Sequence, residues 1–494
     1  MFWAGFVTAQ TFNKTFLDQN EPFYFQTITH VDSIIITAGF GIDSLNPNKP
    51  KYLWKQLGLN GGVLQEFEYI DTLNGLNGTQ NGLFVADSSI YHCLFSSGNG
   101  YFSRPLVLKT SFAGKVIDLK YYSKVNRTVH SPLGFFVSSS NDIYIYGLHQ
   151  PFGNESNAMV IKIDKDLNQI WFKDYGVSNK TETAHSITEL SNGNLLIGAH
   201  RTDAGMTVAG QRYQEQTWIF EIDTAGNMVR EFLDTNTRTG PAKGLTETQD
   251  GGFVFCGKKQ VFWNGHLTHL YENSLTKIDK NLNNIIWEKT FADTISNVIG
   301  LNNIAYNHQG EIIAFGTQPV RFGFTFGYDF SGLIVNYDQN GNKNWERNFR
   351  NEDSLNLLAD NVFFGGTINN KGELFFAGRS ELRNGGPTKG WILKLDSNGC
   401  YDNGFCGYPI VSVKEHEDNR FKDFEFYPNP VKETLFINTK ENIEYLKIYN
   451  TLGQMVVEQK FPPTQVNLSG LKSGLYFMKV KTAKGLFTNK VIKE

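Results

Sequence analysis

Short apolar runs recur about every 50 to 60 residues along the chain, and most of them close on a glycine. They are SIIITAGF from Ser33, IYHCLFSS from Ile90, DIYIYGLH from Asp142, NLLIGAH from Asn194, GFVFCGKK from Gly252, EIIAFGTQ from Glu311 and ELFFAGRS from Glu373. The closing glycines are Gly39, Gly147, Gly198, Gly257, Gly316 and Gly378, with Phe95 at that place in the second run. A strand-like segment and a tight turn precede each run, as at Ser191-Asn192-Gly193, Asp250-Gly251-Gly252 and Asn370-Lys371-Gly372. A third strand follows, such as TWIFEID from Thr217 or GLIVNYD from Gly332, then a second turn and a fourth strand such as IIWEKTFAD from Ile285. Such a unit is a four-stranded antiparallel meander of the size of a propeller blade. Seven repeats predict an all-β fold, a seven-bladed β-propeller over residues 11–408.

The seventh unit lacks a fourth strand, because YDNGFCGYP after Cys400 is built of turn residues. Phe12-Asn13-Lys14-Thr15-Phe16-Leu17-Asp18 matches Trp287-Glu288-Lys289-Thr290-Phe291-Ala292-Asp293 almost position for position. The N-terminal strand is therefore expected to complete the last blade and to cover an edge that would otherwise invite aggregation. The spacing Asp338, Gly341, Trp345, echoed by Asp164 with Trp171 and Asp223 with Gly226, resembles the repeat of quinoprotein-like propellers. That resemblance implies an Asp/Gly turn before a Trp that docks between blades. It implies fold and not cofactor.

The periodicity fails from Pro409 to Arg420, where VSVKEHEDNR reads as a linker. Residues 421–494 return to short alternating strands and are expected to form a small Ig-like β-sandwich. This segment has eleven lysines against seven acidic residues, so it is basic while the remainder is acidic. Its sequence FEFYPNPVKETLFI, LKIYNTLGQMV and LSGLKSGLYFMKVKTAKGLFTNKVIKE closely resembles the type A C-terminal sorting domain of the Bacteroidota type IX secretion system. The matching positions are Tyr427, Pro428, Asn429 and Pro430, then Tyr449, Gly453 and Gln454, then Leu471, Gly474, Tyr476 and Lys490. The resemblance implies export through the periplasm, engagement of the type IX translocon, and a secreted or surface-attached product. Pro428 and Pro430 fix φ at the entry to the first strand, and none of these residues suggests chemistry.

Composition agrees with an all-β chain: 14% of residues are aromatic and glycine is abundant. A net charge of −3 argues against a general nucleic-acid partner, and no run is apolar for long enough to span a membrane. MFWAGFVTAQ is apolar and ends in small residues, like the end of a secretory signal cleaved before Gln10. It lacks a basic start and reads as the remnant of a signal that begins upstream. Cys400 and Cys406, six apart in a turn-rich segment, are a candidate disulfide in an oxidising compartment. Cys93 and Cys256 fall in strands and are expected as buried thiols.

The sequence carries no phosphate-binding loop, His-Glu-x-x-His, Gly-x-Ser-x-Gly or Cys-x-x-Cys, so no catalytic residue, metal ligand or cofactor is assigned. His266 and His269 sit close together in an expected loop without a third ligand. Asp164-x-Asp166-x-Asn168, Asp279-x-Asn281-x-Asn283 and Asp338-x-Asn340-x-Asn342 resemble the start of a calcium loop. They lack its glycine and distal glutamate, and coincide with the repeated hairpin turn. Asp-Ser/Thr-aliphatic triplets such as Asp43-Ser44-Leu45 resemble a Bacteroidota O-glycosylation acceptor, a short pattern that plain turns explain equally well.

One asymmetry bears on function. First-to-second and third-to-fourth turns share one edge of such a meander and are tight here. The second-to-third connections share the other edge and are long and aromatic. They supply Tyr101 and Phe102, Arg212 and Tyr213, Trp263 and Tyr271, and Arg321 with Phe324, Phe326 and Tyr328, joined by Arg379 and Arg383. That composition suits a recognition surface for a surface polysaccharide or a protein partner. The alternatives are a propeller-type enzyme, either a quinoprotein-like oxidoreductase or a polysaccharide lyase or hydrolase, and a structural surface component.

Overall fold

The structure is a computed structural model. It describes residues 11–17, 22–42, 50–71, 75–97, 103–123, 128–151, 155–203, 215–234, 240–263, 266–296, 300–307, 309–320, 329–351, 359–382, 386–401, 406–407, 425–439, 442–450, 455–460, 464–482 and 485–494. The side chains of 42, 97, 203, 260–263, 266–271, 291–296, 319–320, 329, 425 and 485–489 are excepted. Every regular element among these residues is a strand. The chain divides into two compact units, 1–410 and 411–494.

In the larger unit the strands form successive four-stranded antiparallel meanders. Their inner strands are Phe23–Val31, Gly75–Ala86, Val129–Val137, Lys180–Glu189, Lys243–Glu247, Gly300–Tyr306 and Ala359–Ile368. Each inner strand touches the inner strands before and after it, and the last touches the first. The apolar cores lie between consecutive meanders, and the last core joins Phe375, Ala377 and Ile392 to Phe23, Phe25 and Leu53. The sheets are thus packed face to face around an axis, the arrangement of a β-propeller.

The seventh meander has three consecutive strands, Ala359–Ile368, Leu374–Leu382 and Lys389–Leu395, and its fourth is Phe12–Phe16 from the start of the chain. Phe12 pairs with Lys394 as Trp287 pairs with Lys277 and Trp171 with Lys162. The register therefore gives Phe12 the place that tryptophan holds in other meanders. Trp391 Nε1 donates to Asn13 Oδ1 at 2.6 Å, which fastens the strand from its side.

The third-to-fourth turns repeat one chemistry. In Asp164, Asp223, Asp338 and Asp396 one carboxylate oxygen accepts the backbone N–H groups two and four residues on. The calcium-like triplets are therefore Asx turns that satisfy their own carboxylates. The fourth residue of each turn has φ between 60° and 80°: Gly61, Gly114, Leu167, Gly226, Leu282, Gly341 and Gly399. Where it is glycine, the ring behind it is an aromatic of the preceding meander. A Cβ on Gly341 would lie 2.9 Å from Trp287, and one on Gly399 2.7 Å from Trp345. The same holds for Gly226 with Trp171, Gly114 with Phe67 and Gly61 with Phe12. Before Leu167 and Leu282 the register place of that tryptophan is taken by Asp118 and Arg230. Leucine, buried despite its positive φ, then fills the gap.

Every inner strand carries a register irregularity at the same level, such as those at Gln26, Leu133, His185, Gly244 and Asn302. In the second meander it is four residues long, Thr79–Gly82. Its Asn81 Oδ1 accepts from Asn303 Nδ2 at 2.9 Å, while Asn81 Nδ2 donates to Tyr146 Oη at 2.9 Å. One insert thus ties the second, third and sixth meanders together at the axis.

The smaller unit holds two antiparallel sheets, one of Glu425–Tyr427, Thr434–Asn438 and Gln465–Asn467, the other of Ile443–Asn450, Met455–Lys460, Gly474–Thr482 and Gly485–Lys493. They share one core of Val431, Leu435, Ile437, Leu446, Ile448, Val466, Met478, Val480 and Val491. Alternate residues of each strand enter it, as the sequence pattern requires.

Two expectations need correction. His266 and His269 lie not in a loop but in the strand His266–Ile278. Trp263 and Tyr271 likewise belong to paired strands, because Phe253–Trp263 and His266–Ile278 stay paired, across an irregularity between Gln260 and Phe262, to Trp263 opposite His266. The alternation of apolar and polar residues in this hairpin is weak, so its β-branched and aromatic content reads equally well as an insert.

Candidate functional site

Of the residues expected on the loop edge, Tyr101, Phe102, Arg212, Tyr213, Arg321, Phe324, Phe326, Tyr328 and Arg383 lie outside the described residues. Trp263 and Tyr271 are placed by their backbone in the extended hairpin of the fifth meander. Arg379 stands in the second strand of the seventh meander, 3.7 Å from Glu381. Cys400 and Cys406 form a disulfide. Cys93 and Cys256 are free and buried, with thiols pushed far up by burial.

What the sequence did not single out is a set of buried polar side chains along the same edge of the third, fourth and fifth meanders. In the third, His130 and His149 stack with ring centroids 4.5 Å apart and planes 3° apart. His149 Nδ1 lies 3.1 Å from Asp174, and its Nε2 has no partner among the described residues. His149 is only 5% exposed, so this nitrogen does not serve as a base for a molecule in solvent.

In the fourth meander Glu182 is completely buried and accepts from Arg201 Nε at 2.9 Å and from Val177 N at 3.2 Å. Burial outweighs these bonds and raises the carboxyl above its ordinary value. Its Oε2 has no partner among the described residues. Arg201 lies over Trp218, 4.4 Å from the ring centroid.

The third group joins the fourth and fifth meanders close to the axis. His185 is the bulged residue of its inner strand, and its Nε2 lies 2.7 Å from His200 Nδ1. Burial, then the neighbouring His200, Lys243 and Lys258, hold His185 well below the ordinary histidine range. Burial also lowers His200, against the pull of Glu215. Lys258 pairs with Glu215 at 3.2 Å. Lys243 is half-buried with its ammonium 3.5 Å from Asn302 Oδ1, and burial lowers its pKa against the pull of Cys256 and Glu215. Asn273, opposite Lys258 in the strand register, is fully buried with neither amide atom bonded among the described residues.

These groups assemble because the inner-strand bulge turns one extra side chain toward the axis, and because the second strand continues past its glycine. The polar residues after that glycine, Leu148-His149, Ala199-His200-Arg201 and Lys258-Lys259, were the available signal. They interrupt otherwise apolar strands at one repeat position, and reading the repeat by columns would have exposed them. Among the described residues no cluster of three or more His, Cys, Asp or Glu is arranged to hold a metal ion.

In the smaller unit, Asn429 Nδ2 donates to Lys490 O at 3.0 Å and Asn429 Oδ1 accepts from Ile492 N at 2.8 Å. The Tyr-Pro-Asn-Pro segment is thereby locked against the last strand. Tyr476 Oη donates to Lys472 O at 2.8 Å. Tyr427 is 55% exposed and stacks on Phe436 at 5.8 Å, while Gly453 lies outside the described residues.

Residues 425–494 match the family model described as a secretion system C-terminal sorting domain. Such a tail implies export and a secreted or cell-surface product. No curated protein matches the chain. Among solved structures, the β-propeller domain of the Trilobed protease from Pyrococcus furiosus is similar at 8% identity and a TM-score of 0.42, covering 76% of this chain and 96% of that one. The subtype N10 neuraminidase-like protein of A/little yellow-shouldered bat/Guatemala/060/2010 aligns at 7% identity and a TM-score of 0.36, over 78% and 94%. Drosophila Plexin A, in complex with Semaphorin 1b, aligns at 8% and 0.39, over 79% and 87%. Nothing about the ligand or chemistry of this chain follows from these likenesses.

Proposed function

We propose that this chain is a type IX secretion cargo, a seven-bladed propeller closed by its N-terminal strand and followed by an Ig-like sorting domain. Outside the cell its propeller binds a glycan or protein through the edge opposite the tight turns. The observation that carries this reading is the uneven fate of buried polar groups. On the turn edge most are bonded within their own meander or to the next, as Lys394 is to Glu373 and Ser139 to Glu189. On the opposite edge Glu182 Oε2 and both amide atoms of Asn273 have no partner among the described residues. Buried polar atoms left open cost stability, so their retention favours a partner outside the chain.

The test replaces Trp263, Phe324 and Tyr328 by Ala together and measures melting and retention on cell-surface polysaccharide or host matrix. Loss of about 2 kcal/mol per anchoring ring weakens binding well over tenfold with melting unchanged. Unaltered retention with normal melting moves the site elsewhere. A collapsed melting temperature makes the three rings core. For export, deletion of residues 421–494 leaves a folded propeller in the periplasm of a type IX-competent host. Arrival of the truncated chain in the medium overturns the sorting role.

A further inference from the structure

The four-stranded sheet of the smaller unit sorts its outward residues by charge. Leu446, Ile448, Met478, Val480 and Val491 point into the core, so the residues alternating with them face away from it. Toward one end of the strands the outward side chains are Lys460, Lys447, Lys479 and Lys481, with Tyr445 among them. Lys447 stands opposite Glu458 on one side and opposite Lys479 on the other, and it pairs with Glu458 at 3.0 Å. Glu458 is the one acid at these outward paired positions among the described residues. Toward the other end the outward residues turn apolar. Tyr449 and Phe477 are half-buried, Met455 is exposed, and Leu475 lies opposite Ile492 with 38% and 43% of their surfaces exposed. Lys490, opposite Phe477, is the lysine at this end. The three-stranded sheet has no lysine at its paired positions, so the basic character belongs to one face and not to the whole unit. Lysines massed on one face cost stability in the free chain, which favours an anionic surface that covers them.

We infer that this face docks on the surface of a bilayer that contains anionic phospholipids. The lysines meet the phosphate groups, and the apolar end settles among the headgroups. The proposal goes beyond the export role and does not depend on what the propeller binds. The composition of the face decides between a lipid and a protein occupant. Protein contacts are enriched in arginine and depleted in lysine, whereas residues 421–494 contain no arginine. Lysine is a hydrated point charge, suited to a diffuse layer of headgroups more than to a fixed carboxylate that an arginine fork would grip. Aromatic rings beside exposed aliphatic side chains, next to a basic border, are what collects at the interface of a bilayer. A unit that matches a secretion system sorting domain also meets a bilayer during export.

The test uses the full chain and co-sedimentation with two kinds of vesicle, phosphatidylcholine alone and phosphatidylcholine with phosphatidylglycerol at about three to one. Binding is expected to the anionic vesicles only and to weaken in high salt. Lys460→Gln with Lys479→Gln should weaken it more than tenfold, about fivefold for each lysine removed near an anionic surface. Lys460→Arg with Lys479→Arg should keep it. The control pair Lys432→Gln with Lys472→Gln removes the same charge away from this face and should leave binding within about twofold. Leu475→Ser with Ile492→Ser should weaken binding and leave its salt dependence in place. All of these positions except Lys447 and Lys481, which stay unaltered, are exposed, so melting should not move. Equal losses from the two glutamine pairs would make the attraction one of overall charge and overturn the inference. Equal binding to both kinds of vesicle, or binding to neither, also overturns it. Poly-glutamate that displaces the chain from vesicles at lower charge concentration than the lipid presents would replace the bilayer by an acidic protein partner.

Discussion

The two edges of the propeller solve the same problem in opposite ways. Both take buried polar and charged side chains from the ends of apolar strands. On the turn edge each buried charge meets a partner fixed by the repeat, as Lys394 meets Glu373 at 2.9 Å and Glu221 meets Arg230 at 2.5 Å. Neighbouring meanders are bonded there as well: Ser139 and Ser191, in successive first turns, donate to Glu189 and Glu247 of the next inner strand. On the loop edge the equivalent positions differ from meander to meander and end in open atoms. The turn edge holds the ring together, and stability alone accounts for it. The loop edge is paid for by the rest of the fold.

The sharpest way to break the comparison is to open the ring. Deletion of Thr11–Asp18 removes the strand Phe12–Phe16, the Asn13–Trp391 bond and the Phe12 ring against Gly61. Loss of a whole strand costs several kcal/mol of a native stability of about 5–15 kcal/mol and bares a strand edge. Melting should fall by more than ten degrees or so, with aggregation on light scattering. Unchanged melting and solubility would show that closure does not depend on this strand.

Next comes one residue type on both edges. Lys394 is 1% exposed and its partner Glu373 is buried. Lys394→Met strands that carboxylate and should cost about 3–5 kcal/mol in chemical denaturation. Lys243→Met, at a half-buried lysine on the loop edge, should cost little. Equal losses would erase the distinction between the two edges.

A smaller effect concerns how meanders recognise their neighbours. Gly226 accepts Trp171 from behind, whereas Leu167 fills its own gap beside Asp118. Leu167→Gly should lose about 2 kcal/mol, the burial of one leucine less the relief of its positive φ. Asp118→Trp in that background should recover part of the loss, although the same change in the native chain should cost stability. Additive changes in this double-mutant cycle would deny the pairing.

Most of this turn edge was legible in the sequence, because repetition makes chemistry visible. The Asp, Gly and Trp recur at fixed spacing, and the match of Phe12–Asp18 to Trp287–Asp293 is the register by which Phe12 occupies a tryptophan place. Leu167 and Leu282 were not legible as members of that column, since a leucine at φ near 60° defies its own propensity. The loop-edge groups were not legible either. His185 is a bulge residue, and a bulge leaves no mark in a period-two pattern. Lys243 and His200 are distant in sequence and are brought together only by neighbouring meanders. The aromatics that did attract attention reflect composition, whereas the open valences reflect packing.

Acid separates the edges more finely. His92 is fully buried between Tyr52 Oη and Thr110 Oγ1, each 3.0 Å from a ring nitrogen, and burial alone lowers it to about 3. His185 and His200 are lowered as well, with lysines contributing. Each of these histidines binds its proton more readily in the unfolded chain. Their stabilisation is therefore complete above the unfolded value of 6.5 and is lost as pH falls below it. Each should cost about 1.4 kcal/mol per pH unit until its folded value is reached. His92→Gln and His185→Gln should each flatten the dependence of melting on pH between 6.5 and 5. High salt should shrink only the share of His185, because its lysine neighbours are screened and burial is not. A salt response at His92 equal to that at His185 would contradict these assignments.

The smallest expected effect tests whether the turn edge needs its Asx turns individually. Asp338 Oδ1 accepts from Asn340 N at 2.9 Å and Asn342 N at 2.8 Å, while Asn342 Nδ2 donates to Oδ2. These bonds bring its carboxyl below the usual range despite the opposing effect of partial burial. The turn also closes through Gly341 N to Asp338 O, and Trp287 Nε1 donates to Gln339 O from the preceding meander. Asp338→Ala therefore removes only one of three devices that shape the same four residues. About 1 kcal/mol should be lost, with loop-edge binding untouched, because the two edges are separated by the full length of the strands. Asp338→Asn keeps an acceptor oxygen and should recover most of it. Should Asp338→Ala instead impair ligand retention without lowering stability, the two edges would be coupled, and the division between a closed edge and a binding edge would fail.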